Sequence, residues 1–342
     1  MTSVQHMFKR ISAAMQAGLC VAMLLLLSAS VAYGQNGALD EAAEVYHSAD
    51  FDRAIEMFSH LADHPDSDIE TKKACFQYLG RSFVAKHMED EAREAIRQLL
   101  ELAKPMVELN PDAEPPPLMD LYYEVRTALH GYEAQSDLQT MAVIDFTNGS
   151  VGPDASDYDA LSLGLSSMMI NFLGGASDLH VVERERLSWL LSELDLQGDD
   201  NRVDQATAVK AGKLLGAQTV LIGSFIVNGK DMYVGTRLVS VETGEVLFGE
   251  QLFGRQRDIF DLVQKLSVQT TQAIGVVLDA ETAGSTHETH SLDAMMSYSE
   301  GLALLEHESY SEAYQKFVEA LDHDPTYSRA ELRMESLKTM LD

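Results

Sequence analysis

The sequence predicts an α/β central domain, a mixed sheet with packed helices, set between all-α helical repeats. Three observations carry that reading. Strand-like and helix-like stretches alternate from Leu138 to Leu278, as in a sheet layered with helices. Outside that span, three stretches share one register: a small residue, an alanine 12 positions on, and an aromatic or aliphatic residue four further. Glycine-bearing turns, Asn228-Gly229 and Glu242-Thr243-Gly244, separate the last three strand-like runs.

Acids outnumber bases 54 to 25 over 342 residues, a formal charge of -29 at pH 7. Neutralising phosphates needs clustered cations, so no nucleic-acid partner is expected. Anionic lipid would repel such a surface, which argues against a peripheral membrane binder. Two readings of the acid excess stand side by side: a strongly hydrated surface suited to a salty environment, and ordinary solvated helix faces. The hydrophobic fraction of 46% is enough for packed cores.

Residues 1–34 read as a cleavable export signal. Lys9 and Arg10 precede the apolar run Val21–Leu27, and small residues lead to Ala32-Tyr33-Gly34. The run falls short of the ~20 apolar residues that span a bilayer, and no later stretch reaches that length, so no membrane-spanning segment is expected in the mature chain. Cys20 lies ahead of the apolar run and goes with the signal. Cys75 is then alone in the mature chain, which leaves no internal disulfide and suits a buried structural thiol.

Residues 35–135 read as helical repeats. The shared register holds Ala42, Ala54 and Phe58 in the first copy and Gly80, Ala92 and Ile96 in the second. The last copy, in residues 291–342, holds Gly301, Ala313 and Phe317. Small residues let two helices approach closely, and the large apolar residue fills the groove between them. Pro65 and Pro325 close the first and last copies, and the second has Lys104 there with Pro105 next. These features resemble the tetratricopeptide repeat; the competing reading is a generic helical hairpin at each end. Stacks of this kind usually need about three repeats. The front pair is therefore expected to be completed by a helix over 118–132, with Leu118, Leu121, Val125 and Leu129 on one stripe. The back repeat is expected to lean on a helix over Ala330–Leu341, on the middle domain or on another chain. Asn110–Pro117 reads as an ordered spacer or the start of a helix, and 281–290 as a looser linker.

In residues 136–280 strands are expected at Met141–Phe146, Leu179–Val182, Thr219–Val227, Met232–Val241 and Glu245–Phe253. Helices are expected at Leu161–Leu173, from Glu183 through Leu191, at Val209–Leu215 and at Asp258–Val277. Ala142–Phe146, Val181-Val182-Glu183-Arg184, Val220–Ser224 and Arg237–Val239 with Glu242–Leu247 resemble, in that order, the CsgG family of curli-secretion proteins. The amino-terminal domain of TolB-like periplasmic proteins has a similar layout. The resemblance implies an α/β domain of the bacterial envelope that works by assembly and binding. CsgG subunits each add membrane β-hairpins to one barrel, and here the sequence departs. A membrane strand needs ~9–11 residues. Between Val227 and Met232 stand four residues, and after Phe253 five precede a helix. The soluble core of the family is expected without its pore-forming ribbon.

The sequence contains no G-x-x-x-x-G-K-[ST] or G-x-G-x-x-G phosphate loop, no G-x-S-x-G elbow and no H-E-x-x-H helix. His60 and His64 share a helix face without a third ligand, and His287 and His290 flank Glu288 in the linker. No catalytic residue, metal or cofactor is assigned. Asp145 ends a strand, where ligand-binding groups often sit; the preferred reading is a bond to the following turn. Partner-binding candidates in the front groove are Tyr46, His47, Gln77, Arg81 and Val84. Glu183, Arg184 and Arg186 at a helix start read either as local capping with ion pairs or as a contact patch. The expected function is a non-enzymatic exported scaffold of the periplasm, with outer-membrane association left open. It would bind envelope proteins or peptides, its central domain open to homo-oligomer formation. The alternative is an outer-membrane secretion channel of the CsgG type.

Overall fold

A computed structural model describes residues 37–102, 107–131, 139–193, 204–278 and 289–341. The expected export signal, and all of the linker before residue 289, lie outside the described residues. The chain divides into two compact units, between Val107 and Glu108.

The first unit holds four helices among its described residues: α1 (37–47), α2 (Phe51–Asp63), α3 (Ile69–Ala85) and α4 (Glu89–Glu101). Asp50 and Asp68 cap α2 and α3, their carboxylates accepting from the backbone N–H of Arg53 at 3.3 Å and Thr71 at 2.7 Å. The register residues Ala42, Ala54 and Phe58 are fully buried in one cluster with Cys75 and Leu79. Ala92 and Ile96 repeat the arrangement at the next helix pair.

The second unit carries a five-stranded sheet: β1 (Gln139–Asn148), β2 (Leu179–Val182), β3 (Thr219–Asn228), β4 (Asp231–Ser240) and β5 (Val246–Arg255). The order is β2-β1-β3-β4-β5; β2, β1 and β3 run parallel, and β4 and β5 follow antiparallel. Helices α6 (Leu161–Gly174) and α9 (Ile259–Ala273) cover one face, burying Met141, Val143, Leu221, Phe225, Val234 and Leu238. Helices α7 (Arg184–Glu193) and α8 (Gln205–Leu214) cover part of the other, over Ala142, Ile144, Val220, Ile222 and Val239. The strict alternation of those two sets along β1 and β3 is the period of two that a sheet buried on both faces requires.

The hairpin between β3 and β4 turns one residue later than Asn228-Gly229 suggests. Asn228 pairs with Asp231, so Gly229 and Lys230 form the turn. Gly229 takes φ +60° at the first of the two positions, the place glycine holds in a type II′ turn; Asn228 stays in the strand.

Helix α5 (Pro116–His130) begins at the proline run and stops before Gly131, at φ +79°. It lies in the second unit, where its Tyr123 ring sits 6.1 Å from Trp189 of α7. Helices α10 (Leu292–Glu306), α11 (Tyr310–His323) and α12 (Ser328–Leu341) form the carboxyl-terminal group. Of the supports expected for it, α12 and the middle domain both serve: Ala330 and Leu337 share its core with Leu163 of α6. A Cβ on Gly164 would collide with Ser299 Oγ of α10 and stand 3.1 Å from Ser299 Cβ, so α6 and α10 pack closely there.

One detail links the two units' helix pairs. Among the described residues, Ala49, His87 and Glu308 are the non-glycine residues with left-handed φ, at +60°, +57° and +55°. Each sits five residues before the register alanine, at 54, 92 and 313; its N–H donates to the carbonyl three positions back, and the N–H of the next residue to the carbonyl five positions back from itself. The three sequence copies therefore share a turn as well as a packing register.

Candidate functional site

The front-groove candidates fall in the first unit. Tyr46, the penultimate residue of α1, is buried, and His47, which ends the helix, is exposed. Tyr78 of α3 lies against both, with ring centroids 5.2 Å from Tyr46 and 6.3 Å from His47. Phe58 stacks on the same ring at 4.8 Å, and the Arg81 guanidinium stands 5.1 Å from its centroid. Gln77 and Arg81 are half-buried, one helical turn apart, and Val84 is buried. The arrangement brings His47 and Arg81 to one aromatic ring, while Tyr46 and Val84 serve the helix packing beneath. Tyr78, at its centre, was missed: its spacing on α3 reads as packing, and only the fold shows that it gathers the others.

His60 and His64 are exposed, 6.2 Å apart between ring centroids, and Nδ1 of His64 accepts from the Asp66 backbone N–H. Among the described residues no three His, Cys, Asp or Glu side chains come together to hold a metal ion. His290 packs edge-on against Phe260 at 5.8 Å. Burial pushes the Cys75 thiol up to about 11.

The second group, Glu183 to Arg186, opens α7 within the second unit. Arg184 is 5% exposed by side chain, and Arg186 is 3% exposed. Arg184 donates to Glu306 of α10 at 2.7 Å and stands 3.9 Å from Asp145 of β1. Asp145 does not bond the turn that follows it. The ladder slips register between Ile144 and Thr147, and Ser166 Oγ of α6 donates to the Asp145 carboxylate at 2.7 Å. Burial raises the Asp145 carboxyl above its usual range, with Arg184 opposing.

Glu185 pairs with Arg333 of α12, and Arg333 with Asp112 at 2.8 Å. Asp112 also accepts from Arg329 at 2.9 Å and from the Tyr298 hydroxyl at 3.4 Å. Burial lifts the Asp112 carboxyl, but Arg329 and Arg333 outweigh it and hold it at about 2. Glu183 differs. Burial pushes it up to about 7, Glu108 adds to that, and Arg126 and Arg186 only partly offset it. Arg184 and Glu185 of α7 thus belong to an ionic lattice that ties the α/β layers to the carboxyl-terminal helices, while Arg186 is buried close to Glu183. Sequence reasoning missed Asp112, Glu306, Arg329 and Arg333. Arg329 and Arg333 stand one turn apart on α12, and that spacing is the only local signal they carry.

Residues 126–231 match the family model of the curli production assembly/transport component CsgG, so a domain of that family lies within the chain. The match runs from Arg126 of α5 to the first residue of β4. No curated protein matches the sequence. Among solved structures, the chain is similar to TolB from Acinetobacter baumannii at 15% identity and a TM-score of 0.29. That match covers 41% of this chain and 29% of the TolB chain's length. It is also similar to the LpoB carboxyl-terminal domain from Salmonella enterica, at 19% identity and a TM-score of 0.26 over 40% of this chain and 95% of that one. The Escherichia coli LpoB domain gives 18% identity and a TM-score of 0.25 over 39% and 93%.

Proposed function

We propose that the chain is a non-enzymatic adaptor of the bacterial cell envelope. It is exported to the periplasm and holds partner proteins or peptides in surface-fibre or envelope assembly. The match of residues 126–231 to the CsgG family model is the observation that supports this reading most. The family's assembly role carries over as an expectation for the α/β domain. The helical pairs, in the register of tetratricopeptide repeats, supply a peptide-binding face at His47, Gln77 and Arg81. Two features favour an adaptor over a secretion channel. The β3–β4 connection is a two-residue turn. Most of β3 and β4 is committed to the core.

The test is photo-crosslinking in intact cells, with the reactive group placed at His47, at Arg81 and, as a control, at exposed Lys213 of α8. One discrete adduct to an envelope protein from His47 and Arg81, absent from Lys213, is expected. Identical adduct patterns from all three positions would overturn the proposal.

A further inference from the structure

Strand β5 is the outer strand of the sheet, and among the described residues no strand lies beyond it. Such edges are normally blunted by proline, lysine or short length. Val246–Arg255 is ten residues long and holds neither proline nor lysine. It also exposes Phe253, at 59%, at the end of a row with Ile226 and Tyr233 at 38% and 39%. Tyr233 and Phe253 are cross-strand neighbours with ring centroids 4.9 Å apart.

The ladder shows which backbone groups face outward. The two-residue turn makes Asn228 and Asp231 a mutually bonded pair, and the Gln256 N–H donates to the Lys230 carbonyl at 3.0 Å. Bonding alternates along an antiparallel ladder, so Gly254, Leu252 and Glu250 bond to β4. Gln251, Phe253 and Arg255 then turn their amides and carbonyls to the free edge. On the helix-covered face, beside Leu252, a hollow of about 400 Å³ is lined also by Gln264, Lys265, Val268, Gln269 and Gln272. Oε1 of Gln269 is buried there with no hydrogen-bond partner among the described residues.

We infer that β5 pairs with β5 of a second copy of this chain, antiparallel, about a two-fold axis through Gln251. The register argues for this occupant. A two-fold normal to the sheet keeps each face with its like, so Gly249 opposes Phe253 and Glu250 opposes Leu252. The aromatic ring of each copy then covers the other's glycine and lengthens the apolar row. Each Glu250 carboxylate, exposed in the single chain, arrives beside the Leu252-lined hollow, where Lys265 and the glutamine amides are donors. A two-fold through Glu250 would instead oppose two carboxylates directly. The product is one continuous sheet across both copies, and the inference stands independently of the adaptor reading.

Sedimentation velocity of the purified chain at micromolar concentration and physiological salt is expected to show a dimer. Gln251→Pro removes an outward amide and spares the ladder to β4, so it should give a monomer with an unchanged circular dichroism spectrum. Glu250→Lys and Lys265→Glu should each weaken dimerisation about tenfold, a loss of ~1.4 kcal/mol, and the double swap should restore it. A monomer throughout the concentration range would overturn the inference. So would a dimer indifferent to Gln251→Pro, or a double swap no better than its parents.

Discussion

Glu183 and Asp112 are both acids lodged among arginines, yet their environments act in opposite directions. Asp112 has two guanidinium groups in direct contact, and its carboxyl is held at about 2. Its ion pairs add stability above the unfolded carboxylate pKa, and that contribution is lost as pH falls toward 2. Glu183 loses more to burial than Arg126 and Arg186 return, so its carboxyl moves from an ordinary 4.5 to about 7. The folded chain therefore holds a proton there that the unfolded chain has released. Stability falls as pH rises from about 4.5 to about 7, and the full penalty remains above that window. Glu183→Gln removes the ionisation. Its melting temperature should match the parent at the acid end and exceed it increasingly up to neutral pH. Parallel melting curves across the window would contradict this origin of the shift.

At the level of elements, glycines mark where helices must touch. A Cβ on Gly301 of α10 would meet the Phe317 ring of α11 at 2.6 Å. Gly301→Ala gains up to about 1 kcal/mol of helix propensity. It also forces an overpacked contact that costs about 1–3 kcal/mol, so a net loss is expected in urea denaturation. Phe317→Leu in the same chain should recover part of that loss. Gly174, at the end of α6, is the control, because nothing lies within 4 Å of its added Cβ and Gly174→Ala should not destabilise. Equal effects at the two sites would show that propensity, not packing, decides. This contrast was half legible beforehand. The register of Gly301, Ala313 and Phe317 marks the contact, whereas Gly174 reads the same as any other helix-end glycine. Strand β2 was predicted with its observed limits, Leu179–Val182, because charged and polar residues bound its apolar run. The β3–β4 turn was misplaced by one residue because Asn-Gly favours the I′ geometry, while the ladder retains Asn228 and places glycine first in the turn.

Across the whole molecule, the charge of -29 sets a balance that salt can move. Mutual repulsion of surface carboxylates opposes the folded state, and screening relieves it. Buried pairs such as Arg333 with Asp112 are screened far less. The melting temperature is expected to climb as sodium chloride rises from about 0.05 to about 1 M. A flat or falling response would return the acid excess to the status of ordinary solvated helix faces. At this scale the layered α/β order was legible, since alternating apolar runs report on burial directly. The ionic lattice was not: Arg329 reaches Asp112 across 217 positions, and no local period encodes a pairing that distant.

The distribution of two rare side chains gives each unit its own reporter. Trp189, the sole tryptophan, packs with the sheet core of the second unit, so its fluorescence follows that unit. Cys75 is enclosed in the first, and its alkylation, read by mass at its own peptide, requires that bundle to open. Emission and thiol trapping on one untouched sample thus time the opening of the two halves separately, with no label to introduce.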